Sequence, residues 1–363
     1  MRMRVAPPAA RNDHSTDPTG RRYRRAVPSD ENSSQTVTIG SAPGVEVDVL
    51  TYGATLQRMS VTCGDGQRRD VLVGLAGESE LRSSTAYFGS TVGRYANRIA
   101  DGRLDIDGRP VQLTINDGVN HLHGGADGFD SRHWTVVERS VDSVELELIS
   151  PDGDQGYPGE VRARARFSVT DDTVRLELTA TTTATTVVNL TSHAYFDLDG
   201  HGIDDHVLQV FASSFTPVNP DGIPTGSIDD VAGSALDLRE PGRVGDLARA
   251  GHPQLSAARG IDHNFVVDGD GLRCAARLSS ARSRTALEVW TDQPGLQVYT
   301  GNFLDGSDVS RRGTMLRQGD GIALEPQLFP DGPNHPNFPS AELNTGETYR
   351  SLIEWKFSVD HRG

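Results

Sequence analysis

"VRARARFSV", Val161 to Val169, and "VRLELTA", Val174 to Ala180, decide the fold class. In both runs apolar and polar residues alternate with a period of two, which on a β-strand sends one set of side chains to a core and the other to water. The same alternation returns in "VEVDV" (Val45 to Val49) and "VELEL" (Val144 to Leu148). In "LIEWKFSV" (Leu352 to Val359) it places Ile353, Trp355, Phe357 and Val359 on one face. Half-buried strands of this kind are typical of antiparallel sheets. Between them "DGR" at Asp101 and Asp107, "SPDGDQGYPGE", "NPDGIPTG" and "PDGPNHPNFP" supply turn residues. "DVAGSALDLRE" (Asp230 to Glu240) offers at most a short helix, and no repeat of fixed period suggests a propeller or solenoid. The expected fold is all-β: one large antiparallel β-sandwich of two twisted sheets.

Composition narrows the function. The 363 residues carry a formal charge of −15 with a pI near 5.1, and no Lys/Arg stripe alternates with aromatics. The footprint of a nucleic-acid binder is therefore missing, and a small neutral or cationic partner suits the chain better. Cys63 and Cys274 are too few for a disulfide framework or a metal cluster; they read as small packing residues in a reducing cytoplasm. Residues 1–35, rich in Pro, Arg, Ser and Asp, hold no apolar run and are expected to be a disordered tail, leaving 36–363 as one folded domain. There is no apolar signal-peptide region and no stretch of about 18 apolar residues, so no membrane span is expected. A soluble cytoplasmic protein, monomer or homodimer, is the expectation.

Phosphate cradles and nucleophile elbows are missing from the sequence: there is no GxxxxGK[ST], no GxGxxG between strand and helix, and no GxSxG. What stands out is a set of polar residues in apolar or turn-like surroundings. His121 and His123 of "NHLHGG", two apart on a strand, would point the same way and could share a metal, although no third or fourth ligand follows at a recognisable distance; the alternative is a structural role for both. Glu325 of "GIALEPQ" follows three apolar residues where a buried strand meets a loop. It is either a strand-end residue facing solvent or a carboxylate put to use as a base. His193 closes "VVNLTSH" at the end of a strand-like run, either as a hydrogen-bonded core histidine or as a group that reaches a cleft. Tyr195 and Phe196 beside it read as packing residues.

Six segments in this order, "GRYANRIADGRLDIDGRPVQLTIND", "HLHGGADGFDSRHW", "NLTSHAYFDLDG", "GIDHNF", "QPGLQVYTGNFLDG" and "ALEPQLFPDGPNHPNFP", resemble the aldose 1-epimerase (galactose mutarotase) family, from about Val37 to Val359. The resemblance implies a β-supersandwich and an isomerase that interconverts the α- and β-anomers of free aldohexoses such as galactose and glucose, with no metal and no organic cofactor. It puts His193 on the family's general acid and Glu325 on its general base. Arg98, Asn97, His123 and Asp262 fall on sugar-binding positions, as does Gln297, for which nearby Gln293 is the alternative. Two departures are Pro326 and Asp197, the latter where asparagine is common. A relative acting on hexose 6-phosphates would need an added basic pocket, for which Arg311-Arg312 is the one candidate; a non-catalytic sugar-binding sandwich would not need an opposed acid and base.

Overall fold

The computed structural model describes residues 34–359. The tail expected over 1–35 lies outside them except for Ser34 and Gln35, whose backbone N–H groups donate to Glu78 Oε2 and Thr51 Oγ1, each at 3.0 Å.

Val161–Thr170 and Thr173–Thr182 form a hairpin with Val169 opposite Val174. Val161, Ala163, Ala165 and Phe167 are fully buried. On the other face Arg162, Arg164 and Arg166 pair with Glu147, Glu145 and Glu138, as the alternation predicts. This hairpin lies inside a nine-stranded antiparallel sheet in the spatial order Thr135–Arg139, Ser143–Ser150, Val161–Thr170, Thr173–Thr182, Tyr349–Val359, Thr285–Thr291, Arg273–Ser280, Val207–Val210, Gly242–Arg243. A seven-stranded antiparallel sheet runs Asp229–Asp230, Ala212–Thr216, Asp262–Val267, Gly295–Tyr299, Ile322–Gln327, Tyr195–Phe196, Leu72–Val73.

Leu176, Leu178, Ile353 and Trp355 of the first sheet share one apolar core with Phe196, Leu296, Val298, Ile322 and Leu324 of the second. The Phe196 and Trp355 rings meet at 6.3 Å. Each such side chain contributes about 1.5–3 kcal/mol on burial, so this layer holds the sheets together. The second sheet is covered on its other face too: Tyr195, Tyr299 and Ala323 pack with Tyr52, Phe88, Leu304 and Leu316 in a separate cluster. Gly295–Tyr299 and Ile322–Gln327 are consequently buried at every residue, which is why these strands lack a clean polar/apolar alternation.

Two expectations are corrected. Asp230–Glu240 forms no helix: Gly233 adopts a left-handed φ of +72°, and Val231, Leu236 and Leu238 tuck into the core from successive turns. Among the described residues the α-helices are instead Glu78–Ser83, Val244–Ala248 and Pro253–Ala258. Val359 is 43% exposed rather than buried with Ile353, Trp355 and Phe357, because it ends the strand beyond the core. No helix among the described residues is long and apolar enough to cross a membrane.

Candidate active site

Strand register assembles the site. Antiparallel pairing sets Asn264 opposite Gln297, and Gln297 opposite Glu325. Tyr195 pairs with Ala323, so His193, two residues earlier, comes level with Glu325. Four polar side chains thus cross one face of the seven-stranded sheet in a row, with Asp262 one step further along the same face. That face is turned away from the core shared by the two large sheets. The cleft that His193 reaches lies on this outer face, not between the two large sheets.

His193 directly follows the two-residue strand Thr191–Ser192, which pairs with Thr91–Val92. Its backbone is fixed on both sides: its N–H donates to the Ser90 carbonyl and its carbonyl accepts from Gly89 N–H, each at 2.9 Å. The ring lies among aromatics, 4.9 Å from Tyr195 and 5.9 Å from a nearly parallel Tyr87. Its Nε2 is 3.6 Å from Glu325 Oε1. Glu325 is 1% exposed, so the solvent-facing reading is overturned. Burial first, and the negative charge of Asp262 second, push its carboxyl well above the ordinary carboxylate range.

Asn97 and His123 brace each other. The Asn97 N–H donates to His123 Nδ1 and the His123 N–H donates to the Asn97 carbonyl, both at 3.1 Å. Both residues have a left-handed φ, 67° and 51°. Gly124 must follow, because a Cβ there would lie 1.7 Å from the Gly93 carbonyl oxygen. With Nδ1 accepting, the neutral His123 ring carries its hydrogen on Nε2 and offers a donor.

Arg98 Nε donates to Asp117 Oδ2 at 2.9 Å. Burial works against the Arg98 charge, but Asp117 and Asp262 outweigh it and the guanidinium holds its proton more firmly than usual. Gln297 Nε2 donates to Asp262 Oδ1 at 2.7 Å. Gln293 lies elsewhere, its Nε2 bonded to Asp292 Oδ1 and the Arg350 carbonyl.

His193, Glu325, His123, Asn97, Arg98, Asp262 and Gln297 line one inner cavity of about 100 Å³. It shares Arg98, Asp262, Phe303 and Asp305 with an adjoining cleft of about 1590 Å³. Tyr87, Tyr299, Phe303 and Asp308 also line the cavity and were not singled out in the sequence. Tyr299 and Phe303 stand in the quoted segment "QPGLQVYTGNFLDG" and Asp308 follows just after it, while Tyr87 comes from a distant loop with no pattern that marks it. Tyr195 lines the cavity while donating to the Ala86 carbonyl at 3.1 Å; Phe196 is core.

The His121/His123 metal reading fails on geometry. His121 Nδ1 is 2.7 Å from the Thr114 carbonyl and Nε2 2.6 Å from the Tyr157 hydroxyl, so both ring nitrogens are engaged. Burial pushes its pKa down to about 4. His123, His193 and Glu325 do bring donor atoms within 4.8 Å of one another. Yet a histidine ligand normally donates its outer N–H to an acceptor, and His123 instead accepts there, leaving no lone pair on Nε2 for a metal. Arg311 and Arg312 do not line the cavity; they reach the backbone carbonyls of Gln57, Leu72 and Asp70. Asp197 accepts from the N–H groups of Asp199, Gly200 and Gly202, a loop-capping role that uses only acceptor oxygens.

A family model described as aldose 1-epimerase matches residues 35–356. The aldose 1-epimerase of Escherichia coli (strain K12) is 38% identical over 343 residues, covering 92% of this chain and 98% of that one. The galactose mutarotase of Bos taurus is 41% identical over 319 residues, covering 87% and 92%. Among solved structures, an aldose epimerase homologue from C. elegans superimposes with a TM-score of 0.85 at 29% identity, over 91% of this chain and 100% of that one. The galactose 1-epimerase of Lactobacillus acidophilus NCFM gives 0.81 at 31% identity, over 94% and 98%.

Proposed function

The chain belongs to the aldose 1-epimerase family, an isomerase that interconverts the anomers of aldoses, and from that premise we propose that Glu325 is its general base and His193 its general acid, acting on free aldohexoses such as galactose and glucose. The observation that carries this reading is the buried pair, His193 Nε2 and Glu325 Oε1 3.6 Å apart, in a cavity that Arg98, Asn97, His123, Asp262 and Gln297 also line with groups able to bind hydroxyls.

The chemistry needs two opposed proton-transfer groups. Glu325 takes the proton from the C1 hydroxyl; that O–H pair becomes the second C1–O1 bond, the C1–O5 bond breaks, and O5 receives a proton from His193. The aldehyde turns about C1–C2. His193 then takes back the O5 proton as O5 attacks the other face of C1, and Glu325 returns its proton to O1. Both groups end as they began, and the two hydroxyl oxygens that matter hang on adjacent bonds of C1, which suits an acid and base this close together.

A bare carboxylate on Glu325 is disfavoured by burial and by Asp262. The form competent for turnover is the one that pairs a Glu325 carboxylate with a His193 imidazolium, Nε2 and Oε1 being 3.6 Å apart. The open-chain sugar must stay in register while its aldehyde turns. Asp262 accepts hydroxyl protons, Arg98 donates as a fixed fork, His123 Nε2–H donates, and Asn97 and Gln297 offer amides. The two thiols, Cys63 and Cys274, are free, which fits a cytoplasmic protein.

The test is polarimetry on Glu325→Gln, which keeps shape and removes the base. General acid–base groups are typically worth about 10²–10⁴-fold, and a folded variant within about threefold of wild type would place the base elsewhere.

A further inference from the structure

The segment that carries Arg98 ends in "QLTIND", and its last residue, Asp117, takes no part in the proton transfers. It stands on a closed turn. Asp117 N–H donates to the Asn120 carbonyl at 3.1 Å, Asn120 N–H donates back to the Asp117 carbonyl at 2.9 Å, and Gly118 between them adopts a left-handed φ of +63°. Asn116 ties this turn to the strand His121–Leu122 that leaves it: its Nδ2 donates to the Leu122 carbonyl at 2.9 Å and its Oδ1 accepts from Leu122 N–H at 2.8 Å. Leu122 is paired with Arg98, and Asn120 Oδ1 accepts from Asp101 N–H at 3.1 Å. The turn that presents Asp117 and the strand that presents Arg98 are thus one braced piece.

An arginine side chain has several freely turning bonds, and ordering it costs entropy that a prearranged partner recovers. Arg98 meets such partners on two sides. Its Nε donates to Asp117 Oδ2 at 2.9 Å, and Gly222 lies against the guanidinium, for a Cβ there would stand 3.1 Å from Cζ and Nη1 and 3.2 Å from Nε. The Arg98 and Asp117 side chains are 13% and 19% exposed, so the pair is screened less than one at the surface. With Nε given to Asp117, the hydrogens on the two Nη groups remain for other acceptors. Asp117 lines the adjoining cleft and not the inner cavity, whereas Asp262, the second carboxylate whose charge acts on Arg98, lines both.

We propose that Asp117 is a positioning residue for the sugar site: it takes the Nε–H of Arg98 and so keeps the Nη groups for a hydroxyl of the bound sugar. The inference rests on the reading of Arg98 as a sugar-binding residue. Without Asp117 the guanidinium is drawn toward Asp262, and the two close on each other in an ion pair that occupies a donor and an acceptor the sugar would otherwise use.

The experiment is a double-mutant cycle by polarimetry on freshly dissolved α-D-galactose, with wild type, Asp117→Ala, Arg98→Ala and the double variant, Asp117→Asn in both backgrounds, and thermal melts on all. Asp117→Ala lowers kcat/KM roughly tenfold, and Asp117→Asn, which keeps an oxygen for the Nε–H, lowers it less, about threefold. In the Arg98→Ala background neither substitution of Asp117 lowers kcat/KM further, because the side chain it positions is gone; a residue that served the fold alone would lower it there as well. Should the alanine variant not fold, the asparagine variant in the two backgrounds carries the same test. A folded Asp117→Ala enzyme with wild-type kcat/KM, or a loss that multiplies in full with that of Arg98→Ala, overturns the proposal. The two readings fail separately: an unimpaired Arg98→Ala sinks the role of Arg98, whereas an impaired Arg98→Ala beside an unimpaired Asp117→Ala sinks the role of Asp117 alone.

Discussion

Replacing Asp262 by alanine removes three things at once: the acceptor of the Gln297 Nε2 hydrogen bond at 2.7 Å, a negative charge that supports the Arg98 guanidinium, and a negative charge that raises Glu325. The first two bear on holding the sugar. A hydrogen bond to a charged group is worth about 1.5–3 kcal/mol, which converts to a fall in kcat/KM of roughly 10- to 150-fold. Contacts that merely bound the ground state would change KM alone. If Asp262 holds the open-chain sugar in register, as proposed, kcat falls with it. The third consequence has a definite sign. Asp262 disfavours the Glu325 carboxylate, so its loss lets Glu325 ionise at lower pH and moves the acidic limb of the activity profile down. The assay is steady-state polarimetry on freshly dissolved α-D-galactose and α-D-glucose across pH, with thermal melts to verify folding. A folded Asp262→Ala enzyme with unaltered kinetics on both sugars and an unmoved limb would refute the reasoning and reduce "GIDHNF" to a structural turn.

Glu325→Gln should gain stability as it loses activity. A group whose folded pKa is raised contributes stability below its unfolded pKa and loses it as pH rises through the folded value, so the wild-type penalty grows toward alkaline pH. The variant's Tm should match wild type near pH 4 and exceed it at pH 8, by at most about 2–4 °C per kcal/mol recovered; an equal or lower Tm at pH 8 contradicts a buried, raised carboxyl. Dialysis against EDTA should leave activity unchanged, because His121 is engaged at both nitrogens and His123 has its hydrogen on Nε2. Loss of activity restored by zinc would reopen a site at His123, His193 and Glu325.

The fold was legible where one face of a strand meets water. Arg162, Arg164 and Arg166 announce the alternation of their strand because they alternate with buried residues on an open face. Gly295–Tyr299 and Ile322–Gln327 gave no such pattern, since both faces are covered. The short-helix reading of Asp230–Glu240 failed because local apolar spacing does not reveal that each apolar residue enters the core from its own turn. At the site, His193, Glu325, Arg98, Asn97, His123, Asp262 and Gln297 were named from motif segments, and they converge on one cavity. Tyr87 was not, for it belongs to a loop whose proximity to the site only the fold creates, and Phe303, although inside a quoted segment, carries no polar group to single it out. The raised pKa of Glu325 has no signal in the sequence, since it depends on burial by residues far away in the chain and on Asp262, two strands across the sheet.

The most direct measurement is the pH dependence of kcat/KM for wild type and His193→Asn, both verified as folded. The base must be ionised and the acid protonated, so wild type should give a bell whose two limbs belong to the coupled His193–Glu325 pair. The variant should turn over about 10²–10⁴-fold more slowly and lose the alkaline limb, because no imidazole remains to be deprotonated. A His193→Asn enzyme that keeps the bell unchanged at near wild-type rate would show that the acid is another group.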